Sequence, residues 1–320
     1  MAPAEFGAYL VVPDGFLVPL KETGGIYLLK INCNGTTTTL ASEPIEITKP
    51  KRSYFYHMVV WQDMNGDGLL DVVTARVNDP ILLGKPSGQL IWLEQPKSEP
   101  LDNVPWTEHY LVVDGPETVF VLTDLNPSDD QYEVFAAQFF TKHLGLYVFA
   151  AKNNSLLYSR YLDETIGPAY MVEVVDLNDD GALDLLVTNH VGGEGGGVFG
   201  YEIPTDLRNG VFKRHTLAHG FPVTESGSNQ FAPGFAYSFK PHISYTGKPY
   251  ILVAGDGSQK AYLLTPSEAD FSYNKTIIIS AGGVVGSMGF GDIIGNDGWA
   301  EFFVPGYDGN TIFGYTFAPQ

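Results

Sequence analysis

Two stretches of the sequence repeat one loop chemistry, Asp63-Met-Asn65-Gly66-Asp67-Gly68-Leu-Leu-Asp71 and Asp176-Leu-Asn178-Asp179-Asp180-Gly181-Ala-Leu-Asp184. In both, carboxylate or amide oxygens stand at positions 1, 3, 5 and 9 around a glycine at position 6. A tight turn rich in oxygen ligands is what a hard cation such as Ca²⁺ requires. The predicted metal ligands are Asp63, Asn65, Asp67 and Asp71 in the first loop, and Asp176, Asn178, Asp180 and Asp184 in the second.

The segments around each loop are typical of β-strands. A helix-flanked calcium hand needs Glu at position 12 of its loop, where this sequence has Thr74 and Val187 instead. Runs rich in β-branched and aromatic residues precede and follow both loops, for example 57–61 and 183–188. Each loop therefore joins two predicted strands.

Weaker copies of this strand-loop-strand unit recur along the chain. One begins at Asp124 and another at Asp292, and a copy without acids is expected near residue 240. The leading Asp residues lie 61, 52 and 116 positions apart, the last being twice 58. Self-similarity at such a period indicates a repeat architecture. Pro127 and the longer spacing after Asp292 break the ligand pattern, so metal binding in these two copies is left open.

Each unit continues with a third predicted strand, and most add a fourth, as propeller blades do. The sequence therefore predicts an all-β chain forming a single closed β-propeller over residues 1–320, with six four-stranded blades and seven as the alternative. The predicted blades span about 9–48, 57–114, 118–163, 170–218, 233–280 and 286–318. Because the last unit stops after three strands, we expect the N-terminal strand near Tyr9 to Val12 to complete it, since an open sheet edge invites aggregation.

The loops and their setting resemble the FG-GAP/VCBS repeat family of calcium-loop β-propellers, and the resemblance covers nearly the whole chain. It implies structural Ca²⁺ in the loops. Two further segments, Asn229-Gln-Phe-Ala-Pro-Gly-Phe-Ala-Tyr237 and Gly247-Lys-Pro-Tyr-Ile-Leu-Val-Ala-Gly-Asp-Gly257, are similar to fungal propellers that catalyse hetero-Diels–Alder steps in secondary metabolism. This second resemblance implies a cofactor-free cyclase acting on a reactive polyketide or terpenoid intermediate.

Composition excludes some partners. The formal net charge of −19 argues against nucleic acid, because phosphate binding relies on clustered Lys and Arg. No apolar run approaches the length of a membrane span, and the single Cys33 excludes an intramolecular disulfide. Glycosylation triplets begin at Asn34, Asn153 and Asn274. They favour a secreted protein whose signal peptide is absent from this chain, with a cytoplasmic protein as the alternative.

The blade face opposite the metal loops is where we expect a functional site. There the connections from second to third strands, and between blades, converge on the central funnel. Their residues differ from blade to blade, as a single pocket for one ligand requires. The predicted acids, bases or hydrogen-bond donors are His190, Arg76, His143 and Tyr307. The predicted substrate-binding residues are Tyr56, His57, Phe139, Phe140, Tyr170, Asn189, Asn229, Gln230, Phe231, Asp256 and Met288.

The sequence contains no nucleophile elbow, phosphate loop, dinucleotide fingerprint or zinc set, so no organic cofactor is expected. The predicted function is that of an enzyme acting on a small molecule in the funnel, with a cofactor-free cyclase ranked first. One alternative is a carbohydrate lyase or dehydratase, in which His190 or Tyr307 removes a proton beside a carbonyl held by Arg76 or Ca²⁺. The other is a propeller that binds carbohydrate or protein without turnover, like a lectin or an integrin head.

Overall fold

The computed structural model describes residues 2–3, 6–15, 21, 23–34, 37–78, 85–193, 195–224 and 231–319. Within these ranges the chain consists of strands, turns and short 3₁₀ turns, one of them at Tyr307–Gly309. No helix in the described part of the chain is long and apolar enough to cross a membrane. The chain divides into two compact units, Met1–Thr141 with Gly145–Arg160, and Lys142–Leu144 with Tyr161–Gln320.

The first unit is built on three antiparallel sheets. The first sheet contains β1 (Tyr9–Pro13), β3 (Ile26–Asn34), β4 (Thr37–Leu40) and β5 (Ile45–Glu46), and β2 (Thr23–Gly24) pairs with β6 (Lys51–Arg52) beside it. The second contains β7 (Tyr54–Gln62), β8 (Asp71–Asn78), β9 (Ser87–Glu94) and β10 (Thr107–Val113). The third contains β11 (Val119–Thr123), β12 (Gln131–Gln138), β13 (His143–Ala150) and β14 (Leu156–Asp163), of which 143–144 and 161–163 cluster with the second unit.

The second unit is built on three more antiparallel sheets. The fourth sheet contains β15 (Ala169–Val175), β16 (Asp184–Asn189), β17 (Gly197–Glu202) and β18 (Lys213–His219). The fifth contains β19 (Ala236–Phe239), β20 (Tyr250–Ala254), β21 (Lys260–Pro266) and β22 (Tyr273–Ser280). The sixth contains three described strands, β23 (Gly289–Gly291), β24 (Glu301–Gly306) and β25 (Thr311–Thr316).

The second to fifth sheets are four-stranded meanders, in which each strand pairs with its neighbours in chain order. This is the blade unit of a propeller. The all-β, six-bladed β-propeller class predicted from the sequence is confirmed, while the prediction that the chain is one domain stays a prediction.

The second strands form the core of each sheet. All six residues of β16 are buried, as are seven of the eight residues of β8. A strand that is covered on both faces has a continuous run of apolar residues, as β16 has at Leu185-Leu-Val187. Fourth strands such as β14 alternate between exposed and half-buried residues instead. Burying each large apolar side chain contributes about 1.5–3 kcal/mol.

The N-terminal strand does not lie where the sequence analysis expected it. β1 pairs with β3, from Tyr9 opposite Lys30 to Pro13 opposite Ile26, and so belongs to the first sheet. The prediction that this strand completes the last sheet is therefore wrong. Chain entropy explains the difference, because pairing with β3 closes a far shorter loop than pairing with a strand near residue 311 would.

A polar ladder crosses the second sheet at Arg76, whose side chain is fully buried. Its two terminal nitrogens donate to both oxygens of Glu108, at 2.6 and 2.8 Å. The remaining N–H groups donate to the Gln89 side-chain oxygen at 2.9 Å and to the hydroxyls of Tyr56 at 3.1 Å and Tyr110 at 3.2 Å. All five guanidinium donors are thus used. Burial alone would raise the pKa of Glu108, but the hydrogen bonds and charge of Arg76 outweigh burial and lower it.

Replacing Arg76 tests how strongly this ladder holds the sheet. Arg76→Ala should lower the free energy of unfolding by about 3–5 kcal/mol, because it leaves the half-buried Glu108 carboxylate without its bidentate partner. Arg52→Ala is the matched control, since Arg52 is exposed on the neighbouring β6, and it should change stability by about 0.5 kcal/mol or less. Equal losses in the two variants, measured by urea unfolding, would contradict a special role for Arg76.

Candidate functional site

A buried carboxylate at the start of the second strand closes the loop in four of the sheets. These carboxylates are Asp71, Glu133, Asp184 and Glu301, each 4% exposed or less. Each accepts a hydrogen bond from the backbone N–H just after the leading Asp of its loop, namely from Met64 at 2.9 Å, Leu125 at 3.0 Å, Leu177 at 2.9 Å and Ile293 at 2.8 Å. The pairing satisfies an otherwise costly buried acceptor and ties the loop to its strand.

The leading Asp residues make a second repeated contact. The Oδ2 atoms of Asp63, Asp176 and Asp292 accept hydrogen bonds from the backbone of Gly68 at 2.9 Å, Gly181 at 2.9 Å and Gly298 at 2.8 Å. These glycines have φ values of 88°, 85° and 88°, a conformation that favours glycine. The loop at Asp292 keeps this turn despite its longer spacing.

The two complete loops differ in how well they fit a cation. In the first loop, Oδ2 of Asp67 is buried, accepts no hydrogen bond and is paired with Nζ of Lys97 at 3.6 Å, so a cation bound to this oxygen would replace the lysine as its partner. In the second loop, Oδ2 of Asp180 accepts a hydrogen bond from Asn178 at 2.8 Å. Among the described residues, no three His, Cys, Asp or Glu side chains form a group that could hold a metal ion. Ca²⁺ at these loops stays a prediction.

Adding a chelator distinguishes a loop that binds a metal ion from a loop that is closed by hydrogen bonds alone. If Ca²⁺ binds at a hundred times its dissociation constant, it adds about 2.7 kcal/mol to stability, and a chelator should lower the melting temperature accordingly. Asp67→Ala should remove most of that sensitivity and Asp180→Ala a smaller part, with exposed Asp130→Ala as the control. An identical melting curve with and without chelator would exclude a stabilising cation.

In the first unit, several residues predicted to line the functional site make contacts within the fold instead. Arg76 and Tyr56 belong to the polar ladder, so the predicted use of Arg76 as a donor to a substrate oxygen finds no support in its geometry. Burial lowers the pKa of His57 to about 4, which keeps this ring neutral at pH 7. Phe139 and Phe140 pack edge to face with ring centres 5.2 Å apart.

In the second unit, four predicted residues come together where β16 ends. His190 directly follows the strand, and its Nε2 lies 3.8 Å from Oδ2 of Asp256. The Tyr170 ring stacks on the imidazole with centres 4.2 Å apart and planes 16° apart. Phe231 lies 5.5 Å away, centre to centre, and is 48% exposed. The other ring nitrogen, Nδ1, is 2.8 Å from the carbonyl oxygen of Pro233.

Burial favours a neutral imidazole at His190, against the carboxylate of Asp256 3.8 Å away, which favours the charged form. Burial lowers the pKa of His190, and the hydrogen bond with Pro233 offsets this only in part. A carbonyl oxygen can only accept, so Nδ1 carries the proton and Nε2 presents its lone pair on the side of Asp256. Burial, followed by the charge of Asp256, raises the pKa of Tyr170. Its phenol therefore stays protonated and forms a hydrogen bond with the Asp256 carboxylate.

Backbone contacts between neighbouring segments hold the cluster in place. Val191 and Ala232 exchange two backbone hydrogen bonds of 3.1 and 3.2 Å just after His190. The Asp256 N–H donates to Val285 at 2.8 Å. A Cβ atom on Gly196 would lie 2.0 Å from the Ala232 carbonyl oxygen, so glycine is required for this approach. The side chains are thus positioned by paired backbone.

The remaining predicted residues of this unit lie apart from the cluster or serve the fold. Asn189 accepts from the Gly197 N–H at 2.7 Å and donates to the Ile166 carbonyl at 2.8 Å, which fixes the loop after β16. Met288 is 7% exposed and packs within an apolar core cluster, and its predicted role in substrate binding stays a prediction.

His143 and Tyr307 have contrasting environments. His143 is 6% exposed, and its ring centre lies 3.9 Å from that of Tyr161. Tyr307 is 74% exposed on the 3₁₀ turn. Asn229 and Gln230 lie outside the described residues.

Three residues that the sequence analysis missed, Phe235, Tyr237 and Phe290, extend the cluster from the predicted residue Tyr170. Tyr170, Phe235, Tyr237 and Phe290 follow one another with ring centres 5.3, 6.0 and 5.8 Å apart, and we call this row the aromatic wall. Its first three members are partly exposed, and Phe290 is 40% exposed. The alternation Phe235-Ala-Tyr237 at the start of β19 is the signal that could have identified it.

The lowered pKa of His190 has a consequence for stability. The folded protein disfavours the imidazolium relative to the unfolded chain, so the free energy of unfolding should fall as pH drops below the ordinary histidine value of 6.5. His190→Gln should remove this part of the pH dependence. Urea unfolding of both proteins between pH 8 and pH 5 checks it, and parallel curves for the two proteins would contradict it.

Comparisons with known proteins support the fold but do not assign the chain to a family. No protein-family model matches the chain, and no curated protein matches it. One similar solved structure is a mutant α-L-arabinofuranosidase from Fusarium graminearum with an iminosugar inhibitor, with a TM-score of 0.50, 10% identity, and coverage of 96% of this chain and 87% of that chain. Another is the V. cholerae biofilm matrix protein Bap1, with a TM-score of 0.39, 14% identity, and coverage of 76% and 43%. The first likeness shows a shared fold alone, and the FG-GAP/VCBS resemblance remains a resemblance.

Proposed function

We propose that the protein is an enzyme that moves a proton on a small ring-shaped molecule at His190, as a lyase or dehydratase does. The observation that carries this proposal is the buried pair of His190 and Asp256, with 3.8 Å between Nε2 and Oδ2 and with Tyr170 stacked on the imidazole. Burial that keeps an imidazole neutral near pH 7 prepares it to act as a base.

Each member of the cluster has a role in such a reaction. His190 Nε2 takes a proton from a carbon beside a carbonyl, the C–H electron pair forms a C=C bond, and a hydroxyl leaves from the next carbon. The imidazolium then returns its proton to the departing hydroxide, which completes a dehydration. Asp256 stabilises the positive charge while it lasts, and Tyr170 holds the Asp256 carboxylate by a hydrogen bond.

The aromatic wall indicates the shape of the substrate. Four partly exposed aromatic rings in a row, inclined to one another by 67°, 14° and 47°, give an apolar surface with ring edges and faces that suit a ring-shaped ligand. Ser238 follows Tyr237 in β19 and donates to the two Glu173 carboxylate oxygens, from its hydroxyl at 2.6 Å and its N–H at 3.0 Å, which adds a polar pair to the first strands β15 and β19. A ring with polar substituents, such as a keto-sugar, matches both features.

Two other reactions fit less well. Glycoside hydrolysis, the activity named for the Fusarium neighbour, ordinarily uses two carboxyl groups that flank the scissile bond. The cluster pairs a single carboxylate, Asp256, with an imidazole instead. Cofactor-free cyclisation is favoured by the aromatic wall, but it needs no base such as His190. Arg76, predicted as a donor to a carbonyl oxygen in the lyase, is fully engaged by the ladder and favours neither reaction.

Deuterium exchange at carbon tests proton transfer before the natural substrate is known. A panel of keto-sugars and cyclic ketones is incubated with the protein in D₂O, and proton NMR follows the carbons next to the carbonyl. We expect exchange of at least one panel member, reduced by about 10²-fold or more in His190→Gln. His215→Gln is the matched control, because His215 lies in the same unit but is hydrogen-bonded to Glu202 at 2.7 Å on the outer strand.

Several results would overturn the proposal. Exchange no faster than without protein, or exchange that survives in His190→Gln, contradicts proton transfer at this residue. Ring-shaped ligands that bind unchanged, with affinity lost in Phe231→Ala, would favour a non-catalytic binding propeller. If the His190→Gln variant still converts a polyene into a cyclised product, that result would favour a cyclase that does not depend on proton transfer at His190.

A further inference from the structure

A cavity of about 540 Å³ lies in the first unit, between the loops of the second and third sheets. Its volume falls within the range of small-molecule sites, about 300–1,000 Å³. One side is the loop that begins at Asp63, another is the end of β11 with Asp124, and a third is the turn between β13 and β14. None of these residues belongs to the His190 cluster, so the cavity is a separate feature of the molecule.

The walls of the cavity are fixed by contacts within the unit. Asn154 on the β13–β14 turn donates to the Met64 carbonyl oxygen at 2.6 Å, and its own oxygen accepts from the Tyr132 hydroxyl at 3.2 Å. The Tyr132 ring stacks on Phe149, with centres 5.1 Å apart and planes 13° apart. These contacts connect two loops and the β12 strand, so the site is formed before a ligand arrives. Binding therefore does not have to include the free-energy cost of ordering the loops.

The lining combines hydrogen-bonding groups with a small apolar surface. Met64, Leu122 and Tyr132 supply the apolar part. Gln62, Asn65, Gln131 and Asn154 also line the cavity. The Asn154 amide is engaged with Met64 and Tyr132, and the Asn65 amide with Glu94 and Asp67, so the amides available to a ligand are those of Gln62 and Gln131, which can both donate and accept. The carboxylates of Asp63 and Asp124 add acceptors, although Asp63 already accepts three backbone N–H groups from its own loop at 2.7, 3.2 and 2.9 Å.

The charge of the lining narrows the ligand class. Asp63 and Asn65 are predicted metal ligands, so the charged groups left for a ligand are the carboxylate of Asp124 and the ammonium of Lys152. Their charges cancel, which favours a neutral ligand over a phosphate or a polyamine. These groups and the two glutamine amides both donate and accept hydrogen bonds, as the hydroxyl groups of a sugar do, while the apolar side chains suit a C–H face. We infer that this cavity binds a neutral saccharide, with hydroxyls on Asp124, Gln62 and Gln131 and a ring face against the apolar side chains.

Binding is tested on the full chain with defined probes. The probes are methyl glycosides of neutral pyranoses and furanoses and short neutral oligosaccharides, with glucuronate and spermidine as anionic and cationic comparisons. Saturation-transfer NMR detects binding and titration calorimetry measures affinity. We expect at least one neutral probe to bind, and Asp124→Asn or Gln131→Ala to weaken it by about tenfold or more.

Matched variants make the result specific. Asp130→Asn makes the same charge change in the same exposed loop outside the lining, and should leave affinity unchanged. His190→Gln should also leave it unchanged, so failure here is distinguishable from failure of the proton-transfer proposal. No binding of any neutral probe, binding of spermidine alone, or equal losses in Asp124→Asn and Asp130→Asn would each overturn the inference.

Discussion

One hydrogen bond recurs in four of the six sheets and organises much of the structure. A buried carboxylate at the start of the second strand accepts the backbone N–H that follows the leading Asp of the preceding loop, as Asp184 does from Leu177 at 2.9 Å. Burying a carboxylate without a partner would be costly, so the contact commits the loop to one tight conformation. The chain can then reverse between two strands at a fixed place, and the second strand can be buried.

This constraint separates the two ends of each sheet. In the fourth sheet, the carboxylate loop precedes β16 and His190 follows it, so six residues, or about 20 Å of strand, lie between them. The residues of the loop end repeat because they make the same structural contact in four of the sheets. The residues at the other end differ, and in the second unit they bring an imidazole, a carboxylate and aromatic rings together at one place. Repetition at one end and variety at the other is what we expect when one end serves mainly as scaffold and the other carries residues that differ between sheets.

Much of the fold could be predicted from the sequence because its determinants are local. The spacing of acids and glycines in the loops, and the β-branched runs beside them, depend on neighbours within about ten residues. The convergence of His190, Tyr170, Asp256 and Phe231 followed from placing loop positions on a repeating blade. Contacts between residues that are distant in sequence could not be predicted from such local patterns. Glu108 neutralises Arg76 from two strands away, and nothing in either local sequence indicates it. Met288 is buried by packing that only the folded sheets supply.

The central functional claim is that His190 is a neutral base, with its proton held on Nδ1 by the Pro233 carbonyl. A long-range ¹⁵N–¹H correlation spectrum of the histidine rings at pH 7, with His190 assigned by substitution, measures this directly. The predicted result is a neutral ring protonated on Nδ1, the tautomer that a solvent-exposed histidine populates less. A ring protonated on Nε2, or an imidazolium at this pH, would contradict it.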